Sequence, residues 1–179
     1  MRTPAFKLTD GVVTIRKFIP GDKYRMAELA NNKKIADNLR DAFPHPYSIA
    51  DADKFIDMCL LQSPLQVFAI EFEGDYAGNI GLNRQDDVYR KTAEIGYFIG
   101  EPYWNRGITT RAVNLICEYG FRELDIVKIF SGVFEYNLPS QRVLEKCGFI
   151  REAILKEAII KNEKIWDEYR YARYLNKHE

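Results

Sequence analysis

Residues 93–112 constrain this chain more than any other stretch, because they carry it from a strand into a helix through a turn of small and polar residues. Ala93-Glu94-Ile95-Gly96-Tyr97-Phe98-Ile99-Gly100 reads as a strand bearing one acid. Tyr103-Trp104-Asn105-Arg106-Gly107-Ile108-Thr109-Thr110-Arg111-Ala112 then ends the run and opens a helix. A helix start presents backbone N–H groups without partners and a partial positive charge, so the turn from Arg106 to Thr110 is a candidate anion cradle. Gly107 lets a ligand approach its backbone. Beyond it, Ala112, Leu115, Ile116 and Tyr119 recur at helical spacing, which lays one face of the helix on a sheet. A phosphate-binding turn and a candidate base, Glu94, therefore lie close together, and chemistry is the leading reading.

The rest of the chain supplies the elements around that turn. Gly11 to Phe18 alternates as a strand, Pro20-Gly21-Asp22 punctuates it, and Tyr24 to Leu29 has helical spacing. Phe43-Pro44-His45-Pro46-Tyr47-Ser48 is a proline-stiffened loop, after which Ser48 can cap a helix running through Ala52, Phe55, Ile56 and Cys59. Val67 to Glu73 and Tyr76 to Asn83 read as strands joined at Gly74-Asp75, and Thr92 to Ile99 follows as a third. Val127 to Phe134 is another strand, ended by Tyr136-Asn137-Leu138-Pro139-Ser140, where a proline in a first helical turn removes no hydrogen bond. A short helix through Val143 and Leu144 stops at Gly148. Arg151 to Ile160 and Ile165 to Tyr174 read as two closing strands with Lys161-Asn162-Glu163-Lys164 as their turn. No repeat, low-complexity tract or linker interrupts the order β-α-α-β-β-β-α-β-α-β-β, which predicts one α/β domain over residues 1–179.

Composition narrows the chemistry. The 179 residues, 46% hydrophobic and 13% aromatic, can bury a core. Lys+Arg and Asp+Glu number 26 each, so no net charge drives the chain onto nucleic acid or an anionic membrane. The mixed tail of Arg170, Arg173 and Lys177 is read as solvated surface. Cys59, Cys117 and Cys147 are far apart and odd in number, which fits reduced core thiols rather than a disulfide framework or a zinc site. With only His45 and His178, a Ser-His-Asp triad or an H-E-x-x-H metal site has poor material, and neither a P-loop nor a G-x-G-x-x-G occurs. No apolar run suits a signal peptide or a membrane span, so a soluble cytoplasmic protein is expected.

Thirty residues after Gly107 comes Asn137-Leu138-Pro139-Ser140-Gln141-Arg142-Val143-Leu144-Glu145-Lys146-Cys147-Gly148-Phe149. Together the two motifs resemble the GNAT superfamily of acetyl-CoA-dependent N-acetyltransferases. That superfamily's phosphate turn reads Q/R-x-x-G-x-G/A, and its later helix often reads N-x-x-S/A-x-x-x-x-x-K-x-G-F. The resemblance spans nearly the whole chain and is closest to the subgroup that acetylates the N-termini of ribosomal proteins. It implies a single domain of the α+β type, with a mixed, mostly antiparallel sheet of about seven strands and helices on both faces. Trp104 stands where the superfamily has Gln or Arg and Thr109 replaces its second Gly/Ala, but neither removes the backbone donors.

The same resemblance assigns roles. The backbone of Tyr97, Phe98 and Ile99 would pair with the pantetheine arm, and the Phe98 N–H would polarise the thioester carbonyl. Asn105, Arg106, Gly107, Ile108, Thr109 and Thr110 would hold the pyrophosphate, with Arg111 a further phosphate partner. The cofactor would enter between the strand of Glu94 to Ile99 and that of Val127 to Phe134. Gly96 and Gly100 are read as freeing the strand backbone for it. Glu94 is the candidate base that takes the proton of the attacking ammonium, a task suited to a half-buried carboxylate; otherwise it is a solvated acid opposite a lysine. Asn137 would bind cofactor or an ordered water. Ser140 would protonate or hydrogen-bond the thiolate, or else cap its helix. Many relatives carry a tyrosine acid seven residues after that asparagine, where this chain has Leu144, which leaves the acid to Ser140 or water. Phe43, His45, Tyr47, Tyr97 and Trp166 are acceptor-pocket candidates. The implied activity is direct transfer of acetyl from acetyl-CoA to a primary amine, without metal, covalent acetyl-enzyme, membrane or nucleic acid, and with a homodimer left open. The acceptor would be a protein N-terminus, amino acid, polyamine or antibiotic. The alternative is a non-catalytic acyl-CoA-binding sensor or interaction protein on the same fold.

Overall fold

A computed structural model describes residues 6–175; Lys177 and His178 lie outside them. The described strands are Lys7–Thr9 (β1), Val13–Arg16 (β2), Val67–Phe72 (β3), Asp75–Arg84 (β4), Thr92–Ile99 (β5), Lys128–Phe134 (β6), Ile150–Lys161 (β7) and Lys164–Tyr174 (β8), in the sheet order β1-β2-β3-β4-β5-β6-β8-β7. The helices are Asp22–Ala30 (α1), Lys33–Ala36 (α2), Ile49–Leu60 (α3), Ile108–Glu123 (α4) and Leu138–Lys146 (α5), with single 3₁₀ turns at Asp87–Tyr89 and Glu101–Tyr103. Pairing is antiparallel in β1–β2, β2–β3, β3–β4, β6–β8 and β7–β8 and parallel in β5–β6, so the mixed, mostly antiparallel sheet of the expected fold is present. It has eight strands rather than about seven. The extra one, β1, is only three residues long, too short to show a period of two, and is specified by its pairing with Thr14, Ile15 and Arg16. The four-residue α2 is likewise too short to show a helical period; its start is fixed by the Asn32 side chain, which accepts from the Lys34 N–H at 2.9 Å.

The chain divides into two compact units. The first holds β1 to β3, β4 as far as Gly81, α1 to α3, and Tyr97–Ile116. Its core includes Ile15, Met26, Phe68, Ile70 and Ile80, all fully buried. Arg16 locks β2 to its surroundings by donating to both carboxylate oxygens of buried Asp22 at 2.8 and 2.9 Å and to Glu71 at 2.6 Å. Ser48 caps α3 as its sequence suggests, in a reciprocal capping box with Asp51. The β3–β4 turn differs by one residue from the expectation. Its central pair is Glu73-Gly74, at φ 53° and 86°, and Asp75 already pairs with Phe72. Two successive positive φ values make a type I′ turn, whose twist matches the flanking strands.

The second unit holds Leu82–Gly96 and the chain from Cys117 onward, with Ile95, Ile126, Ile129, Leu144 and Tyr171 in its core. Asn162-Glu163 forms the central pair of the β7–β8 turn, as expected, again with both φ values positive. The three cysteines are buried and unbridged. Burial pushes the thiols of Cys59 and Cys117 up to about 12 and that of Cys147 up to about 11. Among the described residues no helix is long and apolar enough to cross a membrane.

Candidate functional site

In the first unit the end of β5, the 3₁₀ turn after it and the start of α4 follow one another in the chain. The Gly100 N–H donates to the Ala77 carbonyl at 2.9 Å, and the Trp104 indole Nε1–H donates to the Ile99 carbonyl at 2.8 Å. The departure from Gln or Arg at Trp104 thus has a structural use, since the indole bridges strand end and turn. It also means that the Ile99 carbonyl, expected to serve pantetheine, already accepts one hydrogen bond. Phe98 and Ile99 bury their side chains, and Gly78 of β4 lies so near that a Cβ there would fall 2.2 Å from the Phe98 carbonyl oxygen. Gly100 has a packing reason instead of the expected freeing of the strand: a Cβ there would meet Leu29 side-chain atoms at 2.7 Å.

The turn reaches the helix through two left-handed residues, Asn105 at φ 60° and Gly107 at φ 73°. The Gly107 carbonyl accepts the first helical bond, from the Arg111 N–H at 3.1 Å, so Gly107 stands at the cap position and Ile108, buried, anchors the first turn. A Cβ on Gly107 would find nothing within 4 Å. The cradle is therefore open at its cap, as an anion-binding helix start must be. The two arginines are occupied otherwise than expected. Arg106 lies 4.5 Å over the Phe72 ring and 3.5 Å from Glu73, and Arg111 is paired with Asp10 at 2.7 Å. Backbone N–H groups, more than guanidinium charge, are what the turn offers. A depression of about 390 Å³ lined by Gly11, Thr14, Glu71, Phe72 and Glu73 shares Phe72 and Glu73 with the contacts of Arg106, but includes none of the expected site residues.

Three of the expected acceptor-pocket aromatics cluster here with β5 or lie on it. Phe43 sits 4.8 Å from Tyr47 and 5.7 Å, edge-on, from Phe98, and Tyr97 is half-buried beside Phe98 in the chain. Tyr47 is buried, and that burial pushes its hydroxyl up to about 12, so it contributes packing rather than protons near neutral pH. His45 is exposed. Glu101, at the head of the 3₁₀ turn, accepts from Asn32 at 2.6 Å and from Lys34, which holds its carboxyl below the ordinary value.

In the second unit Glu94 is half-buried on β5, in register with Phe130 of β6. A neighbouring lysine is thus not its cross-strand partner there; Lys128 pairs with Thr92. The parallel register runs from Thr92 to Glu94 and includes neither Ile95 nor Gly96. Asn137, not Ser140, caps α5: its side chain accepts from the Ser140 N–H at 3.2 Å. That settles the capping alternative for Ser140, which is half-buried in the third helical position because Asn137 is the cap and Leu138 and Pro139 fill the first two. Leu144 is fully buried, so its position belongs to the core and offers no acid. Trp166 belongs to a row of rings, 4.7 Å from Tyr136, which in turn is 5.7 Å from Phe134.

Sequence reasoning missed Glu168. It lies on β8 opposite Phe134, its carboxylate is 2.5 Å from Arg170, and a Cβ on Gly132 would come within 2.6 Å of its Cδ. Arg170 in turn lies 5.5 Å over the Phe130 ring. Only the cross-strand register, which the sequence does not print, sets these groups together. Among the described residues no group of His, Cys, Asp and Glu has a metal-holding arrangement.

Comparison with known proteins adds to this geometry. The model of a family described as acetyltransferase (GNAT) domain matches residues 13–150. The uncharacterized N-acetyltransferase YnaD of Bacillus subtilis (strain 168) is 41% identical over 81 residues, 45% of this chain and 48% of that protein. This chain thus covers about half the length of two curated relatives that it matches at 41% identity. YdaF of the same strain, provisionally named a ribosomal N-acetyltransferase, is 30% identical over 165 residues, 84% of each chain. Among solved structures, Microcin C7 self immunity acetyltransferase MccE in complex with acetyl-CoA and AMP superposes with a TM-score of 0.80, at 26% identity over 93% of this chain and 94% of that one.

Proposed function

The chain belongs to the GNAT acetyltransferase family, and from that premise we propose that residues 1–179 act as one domain that moves an acetyl group from acetyl-CoA to a primary amine. The amine nitrogen attacks the thioester carbon directly, the carbon–sulfur bond breaks, and CoA leaves as its thiol, with no metal and no acetyl-enzyme. The observation that carries this is the turn from Trp104 to Thr110: two left-handed residues deliver a helix start whose cap, Gly107, faces open space. Backbone N–H groups there suit a pyrophosphate, and the helix dipole adds to their pull. The presence of acetyl-CoA in the MccE complex supports the donor.

Each remaining role belongs to a residue of this chain. The Phe98 N–H polarises the thioester oxygen, an interaction worth about 3 kcal/mol of barrier. Glu94, four residues upstream on the same strand, takes the ammonium proton directly or through water. Asn137 orders the start of α5 and a bound cofactor or water, and Ser140 or water returns a proton to the departing thiolate. The acceptor is a protein N-terminus, an amino acid, a polyamine or an antibiotic, and the reaction is cytoplasmic. The names of YdaF and MccE support the first and last of these classes. The test is calorimetric titration with acetyl-CoA against dephospho-CoA, followed by thiol release in an amine screen. Micromolar binding and release of CoA are expected, whereas absence of binding overturns the donor site. A second reading, a non-catalytic acyl-CoA sensor, draws on fully buried Leu144 where relatives carry a tyrosine acid; turnover of any amine removes it.

A further inference from the structure

The two arginines around the start of α4 are held by acids from elsewhere in the first unit. Arg106 lies over Phe72 and beside Glu73, and Arg111 donates to Asp10. Those acids stand on two hairpin turns, Asp10 between β1 and β2 and Glu73 between β3 and β4. Both turns line one depression, through Gly11 and Val12 on one side and Glu73 and Gly74 on the other. Each acid is placed by its backbone. Asp10 accepts from the Val12 and Val13 N–H groups at 2.9 and 2.8 Å through Oδ1, which leaves Oδ2 to face Arg111. Glu73 takes the first central position of a type I′ turn, at φ 53°. Glycine suits that position because it has no Cβ, and asparagine or aspartate because the short side chain bonds to its own backbone. Glutamate has neither advantage, and its presence there points to a use for the carboxylate.

We infer that Asp10 and Glu73 are positioning residues that favour release of CoA: they compete with its phosphates for Arg111 and Arg106. The inference rests on the reading of the Gly107 turn as the donor's phosphate site. Arg106 and Arg111 are 43% and 47% exposed, and a guanidinium has five N–H donors, so neither is used up by its acid. A phosphate that reaches them meets a charge already partly neutralised, and the carboxylate beside it repels. As CoA withdraws, the acids take the guanidinium groups back, so the phosphate contacts break more easily. Acetyl-CoA and CoA carry the same phosphates, and every charge that holds the donor therefore also retains the product. Such uniform binding does not speed the chemical step, whereas slow product departure limits many enzymes. The backbone N–H groups of the turn still position the pyrophosphate, and the acids shorten its stay.

Glu73→Gln and Asp10→Asn each remove one charge and keep the shape of the side chain, and asparagine still offers an oxygen to Val12 and Val13. Calorimetric titration with CoA and stopped-flow displacement of bound CoA measure the effect. In low salt each single variant is expected to bind CoA about threefold more tightly and release it more slowly, and the double variant about tenfold more tightly. At about 1 M salt, where screening acts within about 3 Å, the difference is expected to vanish. Arg106→Gln is expected to weaken CoA binding more in the Glu73→Gln background than in wild type, because only there is the guanidinium free of its acid. Glu163→Gln makes the same substitution at another left-handed turn position, φ 62°, in the second unit, and is expected to leave CoA binding unchanged. If CoA binds none of these proteins, the donor reading and this inference fall together. Binding to wild type with unchanged affinity and release in both charge variants overturns this inference alone. Tightening that persists in high salt, or equal losses from Arg106→Gln in the two backgrounds, does the same.

Discussion

Replacing Gly78 by alanine probes how the end of β5 is held. A Cβ at this position would fall 2.2 Å from the Phe98 carbonyl oxygen and 3.0 Å from the Ile99 Cα. Both are backbone atoms, so no rotamer change relieves the contact. Carbon rests against a carbonyl oxygen at about 3.3 Å, which leaves the strands about 1 Å too close. Overpacking of this kind costs about 1–3 kcal/mol, and in a chain of this length that lowers Tm by roughly 2–12 °C. The shift also moves the adjoining peptide, whose N–H is assigned to the thioester oxygen, and a misplacement of about 1 Å at a reacting centre is worth roughly 100-fold in rate. The expected result is a fall of about two orders of magnitude in kcat/KM, with acetyl-CoA affinity changing much less, because the cradle at Gly107 is a separate contact. Gly81→Ala on the same strand is the control, since its Cβ would meet Val67 at an ordinary 3.4 Å. Paired melting curves and steady-state assays decide the matter: a Gly78→Ala enzyme as stable and as active as Gly81→Ala would refute the reasoning.

Three other perturbations test the remaining roles. Gly107→Val, which places a branched side chain in the open cap at φ 73°, is expected to weaken acetyl-CoA binding at least tenfold, about 1.4 kcal/mol, by calorimetry; Gly107→Asn, tolerant of that backbone, separates strain from blockage, and equal affinity in all three proteins removes the cradle. Glu94→Gln is expected to lower turnover mainly below about pH 8, where the amine carries a proton that must be accepted, while acetyl-CoA affinity stays nearly intact; a pH–rate profile identical to wild type discards Glu94 as the base. Glu101 is held below its ordinary 4.5 by Lys34 first and Asn32 second, so its stabilising contribution is complete above about pH 4.5 and is lost as pH falls through the lower folded value. Glu101→Gln should accordingly melt below wild type at neutral pH, with the gap closing as pH falls through the lowered folded value; a gap that persists in strong acid shows another cause.

Local signals were legible and distant ones were not. The helix start at Gly107, the Ser48 cap and the Asn162-Glu163 turn each depend on residues within a few positions of one another, and each is where the sequence puts it. The Asn137 motif pointed to a helix start, but which of two polar side chains caps it depends on whether Asn137 or Ser140 precedes the first helical residue, and the placement of Pro139 decides for Asn137. Arg106 and Arg111 look from the sequence like phosphate partners because their neighbours in the chain are those of a phosphate turn. Their acids, Glu73 and Asp10, come from other strands and loops. The closeness of Gly78 to Phe98, the indole bridge from Trp104 and the Glu168–Arg170 pair are likewise products of strand register. Glycine, tryptophan and glutamate at those positions look ordinary until the register is known.

The buried thiols make the protein its own unfolding reporter. A sulfhydryl reacts as its thiolate, and burial suppresses both access and ionisation at Cys59, Cys117 and Cys147. Alkylation of any of them therefore times an opening event rather than surface chemistry. Cys59 lies in one compact unit and Cys117 and Cys147 in the other. The order in which mass spectrometry finds them modified in mild denaturant consequently tells which half of the chain loosens first, with no label introduced.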